Sequence, residues 1–366
     1  MTIVFITLFV LLAIYICALI WMAIGFSRTA PLSGSLAPVN ITIIVCARNE
    51  EKNIGRCLRG ILAQQFTGRI QLLVINDASS DNTVAQAELA LAGSRINYKV
   101  VTNPVKKGKK QCITYAVQLA EHELVVLRDA DTFVTSEKWL REISDMHVRT
   151  GAGLIIGPVA IADNYGLLWA LQAIENNVLA VLACGSAHFH RPFLCSGANL
   201  AFTKKSFAVA GGFNSHRHIA SGDDVLLMED VKKAGLPVHY LKSPHALVYT
   251  YPAWSLKSLV AQRIRWAAKF RHNDNFLNLF VAALTFLVNL SWLFCLVAAY
   301  IDPAFKEEAM LFILIKISTD LLLLFLASGF IKNKRLEWYA LPVACVYPVY
   351  AVMVSIGTLV TKPNWK

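Results

Sequence analysis

The stretch Leu124-Val125-Val126-Leu127-Arg128-Asp129-Ala130-Asp131 decides the fold of this chain. Its apolar run predicts a strand, and two carboxylates one residue apart follow where that strand ends. Such a pair can share one hard divalent cation, Mg2+ or Mn2+, which takes its remaining ligands from water and a substrate diphosphate. Turns also favour aspartate, so a solvated turn stays open as the alternative.

The composition predicts transmembrane helices in addition to this strand and its two acids. Of the 366 residues, 56% are hydrophobic and only 16% are charged, which is too apolar for an ordinary cytosolic enzyme. A bilayer core needs roughly 20 helical residues, and the chain has such apolar runs at 2–26, 276–301, 310–331 and 338–360. The first run lacks a basic leader and a good cleavage site, which favours an uncleaved anchor over a signal peptide. We predict one transmembrane helix in residues 1–27 and three in 276–366.

The basic residues predict the orientation of these helices. Short basic loops stay cytoplasmic, and such residues follow the first span, precede the second and separate the third from the fourth: Arg28, Arg263, Arg265, Lys269, Arg271, Lys332, Lys334 and Arg335. The prediction is a multi-pass protein of the inner (plasma) membrane, with a cytosolic domain at 28–252 and an interfacial helix at 253–275. The net charge of +11 indicates attraction to anionic membrane lipids and phosphorylated substrates. No nucleic-acid motif accompanies the charge, so nucleic acid is not a predicted partner.

The cytosolic domain begins with alternating strands and helices. Strands are predicted at 40–46, 71–75, 100–101 and 123–127, with helices from Asn49 to about Gln65, after residues 79–83, and at 110–120. This order indicates a mostly parallel sheet, whose ligands bind beyond the carboxyl ends of the strands. Six polar residues fall at those ends: Arg48, Asn49, Glu50, Asp77, Asp129 and Asp131. Their convergence favours the metal–diphosphate interpretation. Residues 165–182 predict a further apolar helix, either buried or at the membrane surface.

Six motifs together resemble a known family. They are Val45-Cys46-Ala47-Arg48-Asn49-Glu50, Val74-Ile75-Asn76-Asp77-Ala78-Ser79-Ser80-Asp81, Gly108-Lys109, Asp129-Ala130-Asp131, Ser221-Gly222-Asp223-Asp224 and Gln262-Arg263-Ile264-Arg265-Trp266. Their order and approximate spacing resemble the membrane-integrated family 2 glycosyltransferases, which include cellulose, chitin and hyaluronan synthases and ceramide glucosyltransferases. The resemblance covers about residues 39–266. It implies an α/β GT-A (nucleotide-diphospho-sugar transferase) domain with a mostly parallel sheet, flanked by transmembrane helices.

The resemblance also implies roles for single residues. Asp77 is expected to contact the uridine base, while Asp129 and Asp131 handle the ribose-phosphates and the metal. Asp224 matches the catalytic base, because Ala234-Gly235 follows it by the ten and eleven positions typical of the family. Asp223 stands where the family usually has Glu, which leaves the acceptor open, and a helix N-cap is the alternative for both acids. Lys109, Glu50 and Arg263 complete the predicted nucleotide-binding set.

The last motif has a geometric argument of its own. On a helix, Gln262, Arg265 and Trp266 share one face. An amide, a bidentate phosphate donor and a flat aromatic ring suit a diphosphate beside an acceptor sugar, so we predict that all three act with Asp224 in catalysis. The alternative is a basic membrane-surface helix with Trp266 as its anchor.

These patterns predict an inverting glycosyltransferase that moves a sugar from a nucleotide-diphosphate sugar, a UDP-hexose, to a lipid or glycan acceptor. A carboxylate must take the proton of the attacking hydroxyl, because a sugar hydroxyl is a poor nucleophile near pH 7. Two alternatives remain: a processive polysaccharide synthase, and a catalytically silent membrane assembly or transport component. The small number of C-terminal spans favours a lipid or short-glycan acceptor, and the intact set of acids argues against a silent protein.

Overall fold

The computed structural model describes residues 2–31, 34, 36–104, 108–217, 219, 222–268, 275–331 and 333–361. The chain forms two compact units. The α/β unit comprises residues 28–162 and 186–251, and the helical unit comprises residues 1–27, 163–185 and 252–366. Four residues used in the sequence predictions lie outside the described ranges: Ser221, Lys269, Arg271 and Lys332.

Two sheets form the centre of the α/β unit. The strands are β1 Ile41–Ala47, β2 Ile70–Asn76, β3 Asn97–Thr102, β4 Leu124–Asp129, β5 Thr132–Val134, β6 Leu154–Ile156, β7 Val159–Ile161, β8 Leu200–Thr203, β9 Val238–Tyr240 and β10 Val248–Thr250. The larger sheet has the order β3-β2-β1-β4-β8-β6-β9, and the smaller has the order β5-β10-β7. Among the described strands of the larger sheet, only β8 runs antiparallel to its neighbours. The predicted mostly parallel sheet is confirmed.

The helices of this unit pack on the larger sheet. They are α2 Ile54–Leu62, α3 Thr83–Leu91, α4 Lys109–Leu119, α5 Trp139–Thr150, α7 Lys204–Val209 and α8 Val225–Lys233. The β-branched residues of β1 favour a strand and are buried, and Ile43 and Val45 share a core with Ile54 and Leu58 of α2. The helix predicted from Asn49 begins five residues later, because Asn49 has a left-handed backbone with φ 57°.

The register of the parallel strands decides where the polar residues lie. Strand β1 runs between β2 and β4, with Ala47 opposite Asn76 and Cys46 opposite Asp129. The residues that follow these strands therefore meet at one edge of the sheet, as the strand order predicts.

The helical unit contains the apolar helices. They are α1 Thr2–Arg28, most of α6 Leu167–His188, α9 Leu256–Ala268, α10 Phe276–Ile301, α11 Lys306–Ser328 and α12 Arg335–Val360. In the described part of the chain, five helices are long and apolar enough to cross a membrane: α1, α6, α10, α11 and α12. The four predicted spans all correspond to long helices, and α12 stays helical through Pro342 and Pro348. Residues 163–185, which lie within the predicted domain 28–252, group with the helical unit.

The sheet pairing shows whether α6 can cross a membrane. Strand β6 precedes this helix in the chain and β8 follows it, and Leu154–Ile156 pairs directly with residues 200–202. A single crossing by α6 would place these two strands on opposite sides of a bilayer. Their pairing excludes that arrangement, so the candidates for full spans are α1, α10, α11 and α12.

Candidate active site

The loop after β1 is fastened to the loop after β2 by side-chain hydrogen bonds. The amide of Asn49 donates to Ser79 Oγ at 3.0 Å, and the Asn49 side chain accepts from the amide of Ser80 at 2.9 Å. The amide of Glu50 donates to Thr83 Oγ1 at 2.7 Å. These bonds hold the half-buried carboxylate of Glu50 at the sheet edge. Burial raises its pKa, and the negative charges of nearby carboxylates add to that rise.

Asp77 follows β2 and is nearly buried. Its two carboxylate oxygens accept from the amide of Gly108 at 3.0 and 3.1 Å. Gly108 has φ 141°, a conformation that side chains strongly disfavour. Ala78, directly after Asp77, has φ 55°, and such strain in a residue with a side chain marks a position that the surrounding structure determines. Asp77 therefore holds the N-terminal end of α4 close to the end of β2.

Asp129 and Asp131 lie at the end of β4. Thr132 Oγ1 donates to the carbonyl of Asp129 at 2.6 Å, which turns the chain tightly between the two acids. Burial raises the pKa of Asp131 to about 6, and the charges of Asp129 and Glu50 contribute. A carboxylate whose ionised form is disfavoured by its own neighbours is a site that a bound cation would stabilise.

The donor set fits a divalent cation that is shared with a substrate. Among the described residues, no group of three or more His, Cys, Asp or Glu side chains is arranged to hold a metal ion alone. Mg2+ commonly binds through one or two carboxylates, and water and phosphate oxygens supply the other ligands. The carboxylates of Asp129 and Asp131 match that requirement.

Lys109 connects the Asp129 side of the site to the acids that precede α8. Its Nζ atom lies 2.7 Å from Asp129 Oδ1 and 2.9 Å from Asp223 Oδ2. Although burial opposes it, the two carboxylates raise the pKa of this amine well above its ordinary value, so the amine remains charged. The Lys109 side chain is 35% exposed and accessible to a ligand.

Asp224 is the N-cap of α8 and is buried. Its Oδ1 accepts from the amide of Val225 at 2.8 Å, and its Oδ2 accepts from the amide of Gly197 at 3.1 Å. Asp224 therefore caps α8, which is the alternative that the sequence also allowed. Its carboxylate is at the same time fixed in place beside Asp223. A Cβ atom at Gly197 would lie 3.0 Å from the Lys109 amine and 3.2 Å from Asp223 Oδ2. Only glycine leaves this junction undisturbed.

A buried network supports the site from inside the sheet. The Arg128 guanidinium stacks on Trp139 at 4.7 Å, and Arg128 Nε donates to Thr132 at 3.2 Å. Trp139 Nε1 donates to Asn199 Oδ1 at 3.1 Å, two residues after Gly197. The turn that carries Asp129 is thereby linked to the short 3-10 helix Gly197–Asn199. Burial lowers the pKa of Arg128, whose Nη atoms have no hydrogen-bond partner in the described structure.

The residues of the last motif lie on α9 in the helical unit. Arg263 is buried there: its Nε donates to Glu175 Oε2 of α6 at 2.6 Å, and its guanidinium lies 4.3 Å from the Trp266 ring centre. Gln262 accepts from Arg263 Nη1 at 2.6 Å. Arg265 is half-buried. Arg263 is thus held in an ion pair within its own unit, and its predicted nucleotide contact remains a prediction.

Comparison with known proteins identifies the α/β unit. Residues 42–209 match the model of Glycosyl transferase family 2. The chain contains a family 2 glycosyltransferase domain. This segment holds Glu50, Asp77, Lys109, Asp129 and Asp131, and ends before the acids that precede α8.

Relatives of the family 2 domain include bacterial enzymes. The chain is similar to an N-acetylglucosaminyltransferase of Bradyrhizobium diazoefficiens, at 26% identity over 66% of this chain and 50% of the relative. It is also similar to a poly-beta-1,6-N-acetyl-D-glucosamine synthase of Staphylococcus epidermidis, at 23% identity over 62% of this chain and 53% of the relative. The chain thus spans about half the length of these relatives.

A solved structure shares the fold. The mannosyltransferase PcManGT of Pyrobaculum calidifontis, in complex with GDP-Man and Mn2+, has a TM-score of 0.57 and 16% sequence identity. The match covers 96% of this chain and 98% of that one. The GT-A fold predicted for the family 2 domain is confirmed.

Sequence reasoning predicted acids that the structure brings close together, but it missed several residues that hold them. Within the α/β unit the structure brings together Glu50, Asp77, Lys109, Asp129, Asp131, Asp223 and Asp224. Gly197 and Arg128 were not predicted, although a charged residue inside an apolar strand was a signal for the latter. Glu175 lies within the apolar helix predicted at 165–182, and no local pattern pairs it with Arg263.

Proposed function

We propose that this protein is an inverting glycosyltransferase that moves a sugar from a nucleotide-diphosphate sugar to a glycan or lipid acceptor at the cytosolic membrane face. One observation carries the proposal. The Lys109 amine contacts both Asp129, at the end of β4, and Asp223, next to Asp224. The acids suited to hold a metal ion and a diphosphate therefore lie close to an acid suited to take a proton from an acceptor hydroxyl. One lysine side chain lies between them.

The donor half of the proposal rests on Asp129 and Asp131. These two residues would hold Mg2+ or Mn2+, and a bound cation would neutralise the charge that develops on the leaving diphosphate. Lys109 supplies a second positive charge at the same edge of the sheet. Asp77 and Glu50 are proposed to contact the nucleotide, and Asp77 is already fixed by the Gly108 amide.

The acceptor half rests on Asp224. Two backbone amides fix the position of its carboxylate, so a proton acceptor is held at a defined place next to Asp223. As the acceptor hydroxyl attacks the anomeric carbon, its proton passes to Asp224 while the nucleoside diphosphate leaves from the opposite face. A single displacement of this kind inverts the anomeric centre, so an α-linked donor gives a β-glycoside. Gln262, Arg265 and Trp266 are proposed to assist, as their motif suggests.

The residues beside the membrane helices suggest where the family 2 domain lies, and the names of the relatives suggest which donor to test first. The basic residues beside α1, α10 and α12 support a cytosolic family 2 domain in a multi-pass inner-membrane protein. The names of the relatives favour UDP-N-acetylglucosamine as the first donor to test. A processive polysaccharide synthase is the second candidate, because one group of relatives is named poly-beta-1,6-N-acetyl-D-glucosamine synthase.

The experiment is a donor panel on purified protein in detergent or lipid. UDP-N-acetylglucosamine, UDP-glucose and GDP-mannose are each supplied with Mn2+ or Mg2+, and release of the nucleoside diphosphate is measured with a membrane-lipid extract present. We expect turnover with a UDP-sugar, and product mass then separates a lipid glycoside from a polymer. The variant Asp131→Asn is tested beside wild type. Its control is Glu88→Gln, which changes an exposed acid on α3. Absence of release from every donor would contradict the proposal.

A further inference from the structure

The contact between Lys109 and Asp223 has a consequence for donor binding. The Lys109 amine lies 2.7 Å from Asp129 Oδ1 and 2.9 Å from Asp223 Oδ2, so two carboxylates share one positive charge. A diphosphate bound beside Asp129 would need the same amine. Asp223 and the diphosphate therefore compete for the Lys109 ammonium group.

The surroundings make this competition specific to Asp223. Its side chain is only 10% exposed, so the carboxylate has limited access to water, and the Lys109 amine is a counter-charge in direct contact with it. Asp224, one residue later, is fixed instead by the amides of Gly197 and Val225. Gly197 also leaves the space in which the Lys109 amine lies between the two halves of the site.

We propose that Asp223 is a positioning residue that holds the Lys109 amine away from the donor diphosphate and thereby sets donor affinity. In the free protein, Lys109 joins Asp129 to Asp223. When a nucleoside diphosphate binds, the amine moves from Asp223 to a phosphate oxygen. This inference rests on the proposed function, and it assigns Asp223 a role different from that of Asp224.

Calorimetry with UDP in the presence of Mn2+ tests the inference. Asp223→Asn keeps the shape of the side chain but removes the charge that competes for the amine. A partly exposed ion pair is worth up to about 1 kcal/mol, so we expect UDP to bind about three- to fivefold more tightly. In the Lys109→Met background the same substitution should produce no gain. Asp224→Asn, with the same change of charge one residue away, should leave UDP affinity within about twofold of wild type.

Further variants and controls separate the possible causes. Asp223→Glu keeps the carboxylate, so its UDP affinity should stay near that of wild type. A gain that persists in the Lys109→Met background would mean a general electrostatic effect and would overturn the inference. So would unchanged or weaker binding by Asp223→Asn. If wild-type protein binds UDP but Asp223→Asn has no effect, only this inference fails. If wild type binds no nucleoside diphosphate, the proposed function fails with it.

Discussion

The backbone amide of Gly197 donates a hydrogen bond to Oδ2 of Asp224 at 3.1 Å. This bond joins the 3-10 helix before β8 to the N-cap residue of α8, and the two residues are 27 positions apart in the chain. Because the donor is a backbone amide, a substitution at residue 197 by any residue except proline leaves the N–H in place. The carboxylate of Asp224 is thus held in place by the fold itself, which suits a base that must act without reorganisation.

Asp224→Asn should lower turnover by about two to four orders of magnitude, which is the usual contribution of general-base catalysis. Donor affinity should change little, because Asp224 is proposed to contact the acceptor and not the donor. Steady-state kinetics and UDP calorimetry on one preparation give both quantities. Equal losses in binding and rate would assign Asp224 to the donor site instead.

Gly197→Ala should lower turnover by about 10- to 100-fold, in line with the cost of small displacements in an active site. The added methyl group would press on the Lys109 amine and on Asp223 Oδ2, at 3.0 and 3.2 Å. Gly55→Ala on α2 is the matched control, because its nearest atom is the flexible end of Arg59 at 3.3 Å. A Gly197→Ala protein with the wild-type rate would show that the junction tolerates displacement.

Asp131→Asn should abolish the effect of Mn2+ on UDP binding and reduce turnover to the level seen with EDTA. The physical reason is that the variant removes one of the two carboxylates proposed to hold the cation. Calorimetry with and without Mn2+ measures the effect, and UDP binding without metal should remain close to that of wild type. Mn2+-dependent binding of normal strength would rule out Asp131 as a ligand.

Arg265→Lys keeps the charge but loses the planar fork that binds two phosphate oxygens. If Arg265 serves the leaving diphosphate, this change should already lower activity, whereas a membrane-surface helix would tolerate it. Trp266→Phe should raise the acceptor KM more than the donor KM. Lys257→Arg, an exposed exchange on the same helix, is the control. Wild-type kinetics for Arg265→Lys and Trp266→Phe would indicate that the motif anchors the helix at the membrane and has no role in catalysis.

Glu175→Ala should destabilise the helical unit by about 3–5 kcal/mol, because it leaves the buried Arg263 guanidinium without its 2.6 Å partner. Thermal unfolding in detergent measures the effect. The double variant Glu175→Leu with Arg263→Met removes both charges and should recover much of the loss. If the double variant is as unstable as Glu175→Ala alone, the unpaired charge is not the cause.

The sequence by itself determined the elements and the acids at their ends. A strand such as β1 follows from its β-branched residues, and long helices such as α10 follow from uncharged runs, because both patterns are local. The alternation of strands and helices also implied the parallel sheet. Since parallel strands end at one edge, the sequence predicts that Asp77 and Asp129 lie close together.

The tertiary structure alone decided which partners these residues have. The contacts of Lys109 with Asp223, of Gly197 with Asp224 and of Glu175 with Arg263 join residues that are 27 to 114 positions apart. No periodicity or spacing encodes such pairs, because they depend on strand order and on the angle at which helices pack. For the same reason, sequence alone left the course of α6 open, and the pairing of β6 with β8 excludes its crossing the membrane.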